Sequence, residues 1–116
     1  MRILFLDDDY ERLELAKKNF DGHDLYLATT VKEAINCLED ASPFDMVYLD
    51  HDLGGKQMVE SGESTGYEVA EFIKQMPKYL LPKRVIIHSF NPVGALNMLN
   101  LLKTSVDCLY VPFNLK

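Results

Sequence analysis

"MVYLDHDLGG", residues 46–55, sets four apolar residues directly before Asp50, His51 and Asp52 and closes on two glycines. An apolar run this short, with no polar alternation, suits a central strand of a parallel sheet covered on both faces. The glycines mark a turn just beyond it. Three consecutive side chains that can bind metal or move protons therefore sit where a strand ends. Either Asp50 accepts a phosphoryl group there, or the three belong to a metal-dependent hydrolytic site.

Working outward, the same kind of apolar run recurs along the chain. "RILFL" at 2–6, "DLYLA" at 24–28, "RVIIH" at 84–88 and "DCLYV" at 107–111 complete five strand candidates. Helical patterns with start signals separate them. Asp9 is placed to cap a helix reaching Phe20, with Leu13, Ala16 and Phe20 inward. Thr30 with Glu33, and Thr65 with Glu68, give the T-x-x-E capping-box pattern. The first precedes Ala34, Ile35 and Leu38; the second precedes Val69, Phe72, Ile73 and Met76. Asn91 followed by Pro92 opens a fourth helix to about Lys103. The order is (βα)₄β, an α/β open parallel five-stranded sheet in one domain, 1–116, with no helix after the last strand. The connection 54–65 is polar, glycine-rich and expected to be mobile.

The 116 residues suffice for one domain that buries roughly two-thirds of its unfolded surface. A net charge of −6 argues against duplex nucleic acid as a partner but leaves a nucleotide or an RNA end open as a small ligand. Cys37 and Cys108 form no C-x-x-C pair and read as free thiols in a reducing compartment. "MRILFLDDD" is neither a secretory leader nor a membrane span, so the expected location is the cytoplasm, away from membranes.

In an open parallel sheet, ligands bind at the carboxyl ends of the strands beside the point where strand order reverses. Those ends carry Asp7, Asp8 and Asp9; Asp50, His51 and Asp52; then His88, Ser89 and Asn91; and finally Val111, Pro112 and Phe113. Asp7, Asp8 and Asp50 gathered together would repel, and a divalent cation is the natural remedy. Oxygen ligands suit Mg²⁺ or Mn²⁺, whereas adding His51 or His88 shifts preference toward Mn²⁺, Fe²⁺ or Zn²⁺. Asp9 reads first as a cap, as does Asn91, whose helix would also present N–H groups to a phosphate. His51 competes with a reading as a loop histidine, and His88 with one as a satisfied core histidine. Ser89 suits either a phosphate oxygen or a local cap.

"ILFLDDD", an aspartate after the third strand, a hydroxyl residue after the fourth and "PF" after the fifth resemble a response-regulator receiver domain. The resemblance implies a flavodoxin-like fold, Asp7 and Asp8 as an acidic pair, Asp50 as phosphoacceptor and Ser89 as the hydroxyl beside the phosphoryl group. "TGYEVAEFI" at 65–73 is similar to the start of the receiver's third helix. The lysine expected before the proline is Val111, however, and the fifth helix has no counterpart. "FLDDD", "LDHDLGG" and "RVIIHSFNPVGA" together are more similar to a divergent branch, the cyclic-phosphate-processing receiver domains. That likeness implies action on cyclic phosphates such as 2′,3′-cyclic phosphate ends of RNA or nucleotides.

Two functions follow. In the first, a divalent metal on Asp7, Asp8, Asp50 and Asp52 serves a phosphoesterase. Asp50, His51 and His88 are its catalytic residues, and Ser89 and Asn91 bind the phosphate. In the second, a single-domain receiver is phosphorylated on Asp50 and read by a protein partner. Lys56 in the long loop is a candidate substitute for the missing lysine, and Phe90 a candidate platform for a base.

Overall fold

β1 (Arg2–Leu6), β2 (Asp24–Ala28), β3 (Met46–Leu49), β4 (Arg84–Ile87) and β5 (Asp107–Tyr110) form one sheet in the computed structural model, which describes residues 1–55 and 58–116. All neighbours pair in parallel, in the order β2-β1-β3-β4-β5. The chain steps outward from β1 to β2, then returns to lay β3 on the other side of β1, so strand order reverses between β1 and β3. This is the flavodoxin-like arrangement. Lys56 lies outside the described residues.

The register fixes what the strands deliver at their carboxyl ends. Leu6 is level with Leu49, and Leu49 with Ile87. The ladder runs one step further, with the Asp50 amide donating to Leu6 O at 3.1 Å and the His88 amide to Leu49 O at 2.9 Å. Asp7, Asp50 and His88 therefore leave the sheet side by side. His88 and Val111, expected as the last residues of their strands, lie just beyond them.

Four α-helices link the strands: α1 (Tyr10–Asn19), α2 (Val31–Ala41), α3 (Gly66–Lys74) and α4 (Pro92–Leu102). Their caps are the residues the sequence offers. Asp9 Oδ1 accepts from the Arg12 amide, Thr30 Oγ1 from Glu33, and Asn91 Oδ1 from Gly94. The return arms of the two capping boxes shift by one residue. Glu33 accepts from the Thr29 amide and hydroxyl, and Glu68 from the Ser64 amide, so each secures the residue before its cap. A short 3₁₀ turn, Lys78–Leu80, follows Pro77 and was not apparent from the periodicity.

The two faces of the sheet are covered unequally. Leu4, Leu6, Val47, Leu49, Val85 and Ile87 pack against Leu38, Val69, Ile73, Ala95, Met98 and Leu102 from α2, α3 and α4, all almost fully buried. Each such large aliphatic side chain contributes about 1.5–3 kcal/mol. Phe5, Tyr48 and Ile86 lie on the other face, where α1 reaches them through Phe20, whose ring centroid is 5.2 Å from that of Tyr48. With this thinner cover, α1 buries only Ala16 completely; Leu13 and Phe20, expected in the core, are half-buried. The extended residues 111–116 add to this layer. Phe113 sets its ring edge-on to Phe5, and the Lys116 carbonyl accepts from Asn19 at 3.1 Å.

The described part of the long loop is tied down rather than free. The Gly55 amide donates to Asp8, the Met58 amide to Asp52, and Asn91 Nδ2 to the Val59 carbonyl. Ser61 Oγ meets both His51 and Asn97. Polar composition suggested mobility because several of the partners, Asp8, Asn91 and Asn97, lie tens of residues away in sequence.

Gly66 is where α3 meets the end of β3. Its amide donates to His51 O at 2.8 Å, and a Cβ on it would lie 1.7 Å from the Asp50 carbonyl oxygen. Backbone cannot yield as a side-chain tip can, so Gly66→Ala must push α3 off the strand end that carries Asp50. We expect the variant to lose roughly 2 kcal/mol or more, measured by chemical denaturation. A loss under ~0.5 kcal/mol would show that the contact relaxes freely.

Candidate functional site

The three residues delivered by register form the centre of the site. Asp7 and His51 are fully buried, and Asp50, His88, Ser89 and Asn91 are nearly so. One ligand atom each from Asp7, Asp50 and His88 lie within 4.8 Å of one another. His88 Nε2 is 2.8 Å from Asp7 Oδ2, and its ring stacks on Phe5 with centroids 4.8 Å apart. Burial pushes the His88 pKa down and outweighs the opposing pull of Asp7, which favours the neutral ring beside the carboxylate. Its Nδ1 is left buried without a hydrogen-bond partner. Asp50 Oδ1 accepts from the His51 amide at 2.8 Å, which fixes the carboxylate's orientation.

Beside this trio lies a cavity of about 330 Å³ lined by Asp8, Arg12, Asp50, Ser89, Phe90 and Asn91, among others. Arg12, which sequence reasoning passed over, reaches in from the first turn of α1. Its Nε is 3.2 Å from Asp7 Oδ2, and its Nη2 is 3.9 Å from both Asp9 and Asp50. The signal for it was present in "DDDYER". A basic residue in the first turn of a helix opposes the macrodipole, which favours acids there. Such a placement asks for a local reason, and three adjacent aspartates supply one.

The remaining candidates are brought near but given other tasks. His51 follows Asp50 and points the opposite way. Its Nδ1 is 2.7 Å from Asp52 Oδ1 and its Nε2 2.9 Å from Ser61 Oγ. A Cβ on Gly94 would stand 2.4 Å from the ring, so α4 covers it closely. Both nitrogens are engaged, and the ring does not line the cavity. Asp52 also accepts from Asn91 Nδ2 at 3.0 Å and from the Met58 amide at 2.6 Å. Burial alone would raise its pKa, but the bonds from His51, Asn91 and Met58 hold it below the ordinary range. Asp8 lines the cavity and uses Oδ2 to hold the Gly55 amide. Ser89 Oγ accepts from the Asn91 amide at 3.0 Å. The start of α4 presents fewer donors than expected. Pro92 has no N–H, and the Gly94 and Ala95 amides are taken by Asn91.

Residues 2–104 match the family described as the cyclic-phosphate processing receiver domain. The chain belongs to that family. No curated protein matches it in sequence. Among solved structures, this receiver domain is similar to an adenylate cyclase from Rhodopirellula baltica, with a TM-score of 0.68 and 22% identity over 97% of this chain and 77% of that one. It is similar to the Mn²⁺-bound form of response regulator Rcp1, with a TM-score of 0.66 and 21% identity over 98% and 82%. The BeF₃-activated receiver domain of RstA from Klebsiella pneumoniae gives 0.60 and 17% over 95% and 85%. At these identities the likeness speaks for the fold alone. Among the described residues of the receiver domain, no helix is long and apolar enough to cross a membrane.

The electrostatics of the receiver domain's edge are dominated by Asp50. Burial and the neighbouring Asp7 raise its pKa to about 7, against the smaller opposing effects of Arg12 and the His51 amide. A carboxyl whose folded pKa exceeds its unfolded value favours folding below that unfolded value and loses the benefit as pH rises through the folded one. Ionising Asp50 thus weakens the metal-free fold between about pH 4 and pH 7. Asp50→Asn removes the charge and keeps the acceptor for the His51 amide. We expect it to raise the melting temperature of the metal-free protein at pH 8 by a few degrees, at least ~3 °C, and to change it little at pH 4.5. Equal shifts at both pH values would place the effect elsewhere.

Proposed function

We propose that Asp7, Asp50 and His88 hold a divalent cation, and that the site beside them opens the ester of a cyclic phosphate with water. The observation carrying this reading is the buried trio itself, with ligand atoms within 4.8 Å, set against a cavity open to a small ligand. Two carboxylates and one imidazole suit Mn²⁺, Fe²⁺ or Zn²⁺ better than Mg²⁺, which prefers oxygen alone. The orphaned His88 Nδ1 and the raised pKa of Asp50 mark a cluster arranged at a cost in stability, as metal and catalytic sites are. The description of the family supports a cyclic phosphate as the ligand class. The Mn²⁺-bound form of Rcp1 supports a cation on a fold of this kind.

When bound, the cation supplies a Lewis acid for a phosphoryl oxygen and makes water a better nucleophile. The chain's own residues do the rest. In the metal-free site Asp7 holds the His88 ring through Nε2, and that nitrogen would give up this contact and its proton to take the cation. Ser89 accepts the Asn91 amide and so keeps its hydroxyl proton for a phosphate oxygen in the cavity it lines. Asn91 caps α4 and joins Asp52 to the Val59 carbonyl, next to Met58 in the cavity wall. His51 is a positioning residue, locking Asp52 and Ser61 from behind. The ligands in view are small phosphates or the cyclic-phosphate end of a nucleotide or RNA.

Hydrolysis of a panel of 2′,3′-cyclic nucleotides with Mn²⁺, Mg²⁺ or Zn²⁺ tests the reading. The wild-type protein should gain thermal stability with the metal and turn over a cyclic nucleotide. Asp50→Asn should lower both metal affinity and turnover by roughly 100-fold or more. An absence of metal-dependent turnover in the wild type would overturn the phosphoesterase reading. The second reading, Asp50 as phosphoacceptor with a protein partner, draws on Asp50 lining the same cavity as Ser89 and Arg12. It requires a mass gain of one phosphoryl group on incubation with a small phosphodonor and Mg²⁺.

A further inference from the structure

Arg12 is built into the site in a way the proposed metal reading does not use. Its side chain is about four-fifths buried, at 21% exposure, yet its guanidinium makes no hydrogen bond of good geometry to any described residue. Nε is buried and unsatisfied, and the contacts to Asp9 and Asp50 are long, at 3.9 Å. Five fixed donors facing carboxylates without a fork-to-fork pairing are unusual for arginine, which ordinarily binds such groups bidentately. Two aromatic rings hold it instead. The guanidinium carbon lies 5.6 Å from the centroid of Phe90 and 5.7 Å from that of Phe113. Between these rings Arg12 lines the cavity, where Ser89 and the Asn91 cap also stand.

We infer that Arg12 is the anion-binding residue of this site: it lies on the Asp7–Asp50 pair while no cation is present and takes phosphate oxygens once a divalent cation occupies that pair. The inference deepens the reading above and rests on it for the second state. Two cations competing for the same carboxylates disfavour each other, so the incoming ion releases the guanidinium. The freed fork then needs a partner, and the two unesterified oxygens of a phosphate in the adjoining cavity stand at fork spacing. Arg12 thereby opposes cation binding alone and favours cation and phosphate bound together. The cost of holding Arg12 off-geometry in the empty site is recovered when the phosphate arrives. Phe90 and Phe113 serve as positioning residues for this group.

The test is calorimetric titration of Mn²⁺ alone, and of inorganic phosphate with and without Mn²⁺, into the wild-type chain, Arg12→Met and Arg12→Lys. Arg12→Met should bind Mn²⁺ alone more tightly than the wild type, having lost the competitor. It should bind phosphate at least about 10-fold more weakly, having lost a bidentate charged partner. Arg12→Lys keeps the charge without the fork, so its Mn²⁺ affinity should stay near wild type while phosphate binding falls. A purely structural arginine would weaken both ligands in Arg12→Met, and that outcome overturns the inference, as does unchanged phosphate affinity. If Arg12→Met fails to fold, Arg12→Lys alone decides by whether phosphate and Mn²⁺ affinities separate. If the wild type takes no Mn²⁺, the metal reading falls. The phosphate arm then stands by itself: binding lost with the guanidinium keeps Arg12 as the anion residue, and binding absent or indifferent to it removes that role.

Discussion

The level ends of β1, β3 and β4 are the constraint from which the site follows. Once Leu6, Leu49 and Ile87 are paired in register and buried, the next residue of each strand has no choice of place. Two of those residues are aspartates, and the third is a histidine with one nitrogen unsatisfied. Sliding any strand by one residue would relieve the crowding but turn its whole apolar set to the wrong face. The sheet therefore forces like charges together in a poorly solvated spot, and its hydrophobic pairing is strong enough to hold them there. Asp50, with a pKa near 7, carries the cost of that placement.

Alternation along the extended chain then divides "DHD" into two functions. Asp50 faces the cavity, while His51 turns beneath α4 and is locked between Asp52 and Ser61. Asn91 joins the same network from the start of α4, so the end of β3, the loop after it and the fourth helix share one set of hydrogen bonds. This network explains why glycine stands at 94, where any side chain would strike the imidazole. The two histidines at these neighbouring strand ends thus act differently. His88 belongs to the acids, and His51 to that network.

The order of strands and helices along the chain and all four N-cap residues were legible in the sequence because each rests on local pattern. "RILFL", "MVYL" and "RVII" are apolar without alternation, and Asp9, Thr30, Thr65 and Asn91 stand directly before their helices. The edge of the sheet that collects chemistry was legible too, since strand ends are where polar residues break the runs. The sorting of residues within that edge was not. Whether His51 or His88 meets Asp7 depends on which side of the strand end each leaves, a matter of one residue in where β3 and β4 stop. The tethering of the long loop was hidden because its partners, Asp8, Asn91 and Asn97, are separated from it by tens of residues. Arg12 was readable only as an anomaly of charge at a helix start, and the acidic triplet before it drew the attention instead.

The position of the site's positive charge separates this chain from the receiver pattern it otherwise resembles. The lysine expected beside the proline after the last strand is Val111, so β5 brings no cation to the acids. Arg12 comes instead from the opposite side, out of α1, and stands on the acids themselves rather than across the cavity from them. The extended segment after β5 still contributes, but through Phe113, whose ring touches both the guanidinium and the His88 edge of the trio. A cation delivered from the far strand end can flank a phosphoryl group without disturbing a metal below it. One delivered from α1 stands on the very carboxylates that the proposed cation would use. With valine at 111 and Arg12 beside Asp7 and Asp50, the positive charge of this edge stands on the carboxylates rather than at the end of β5.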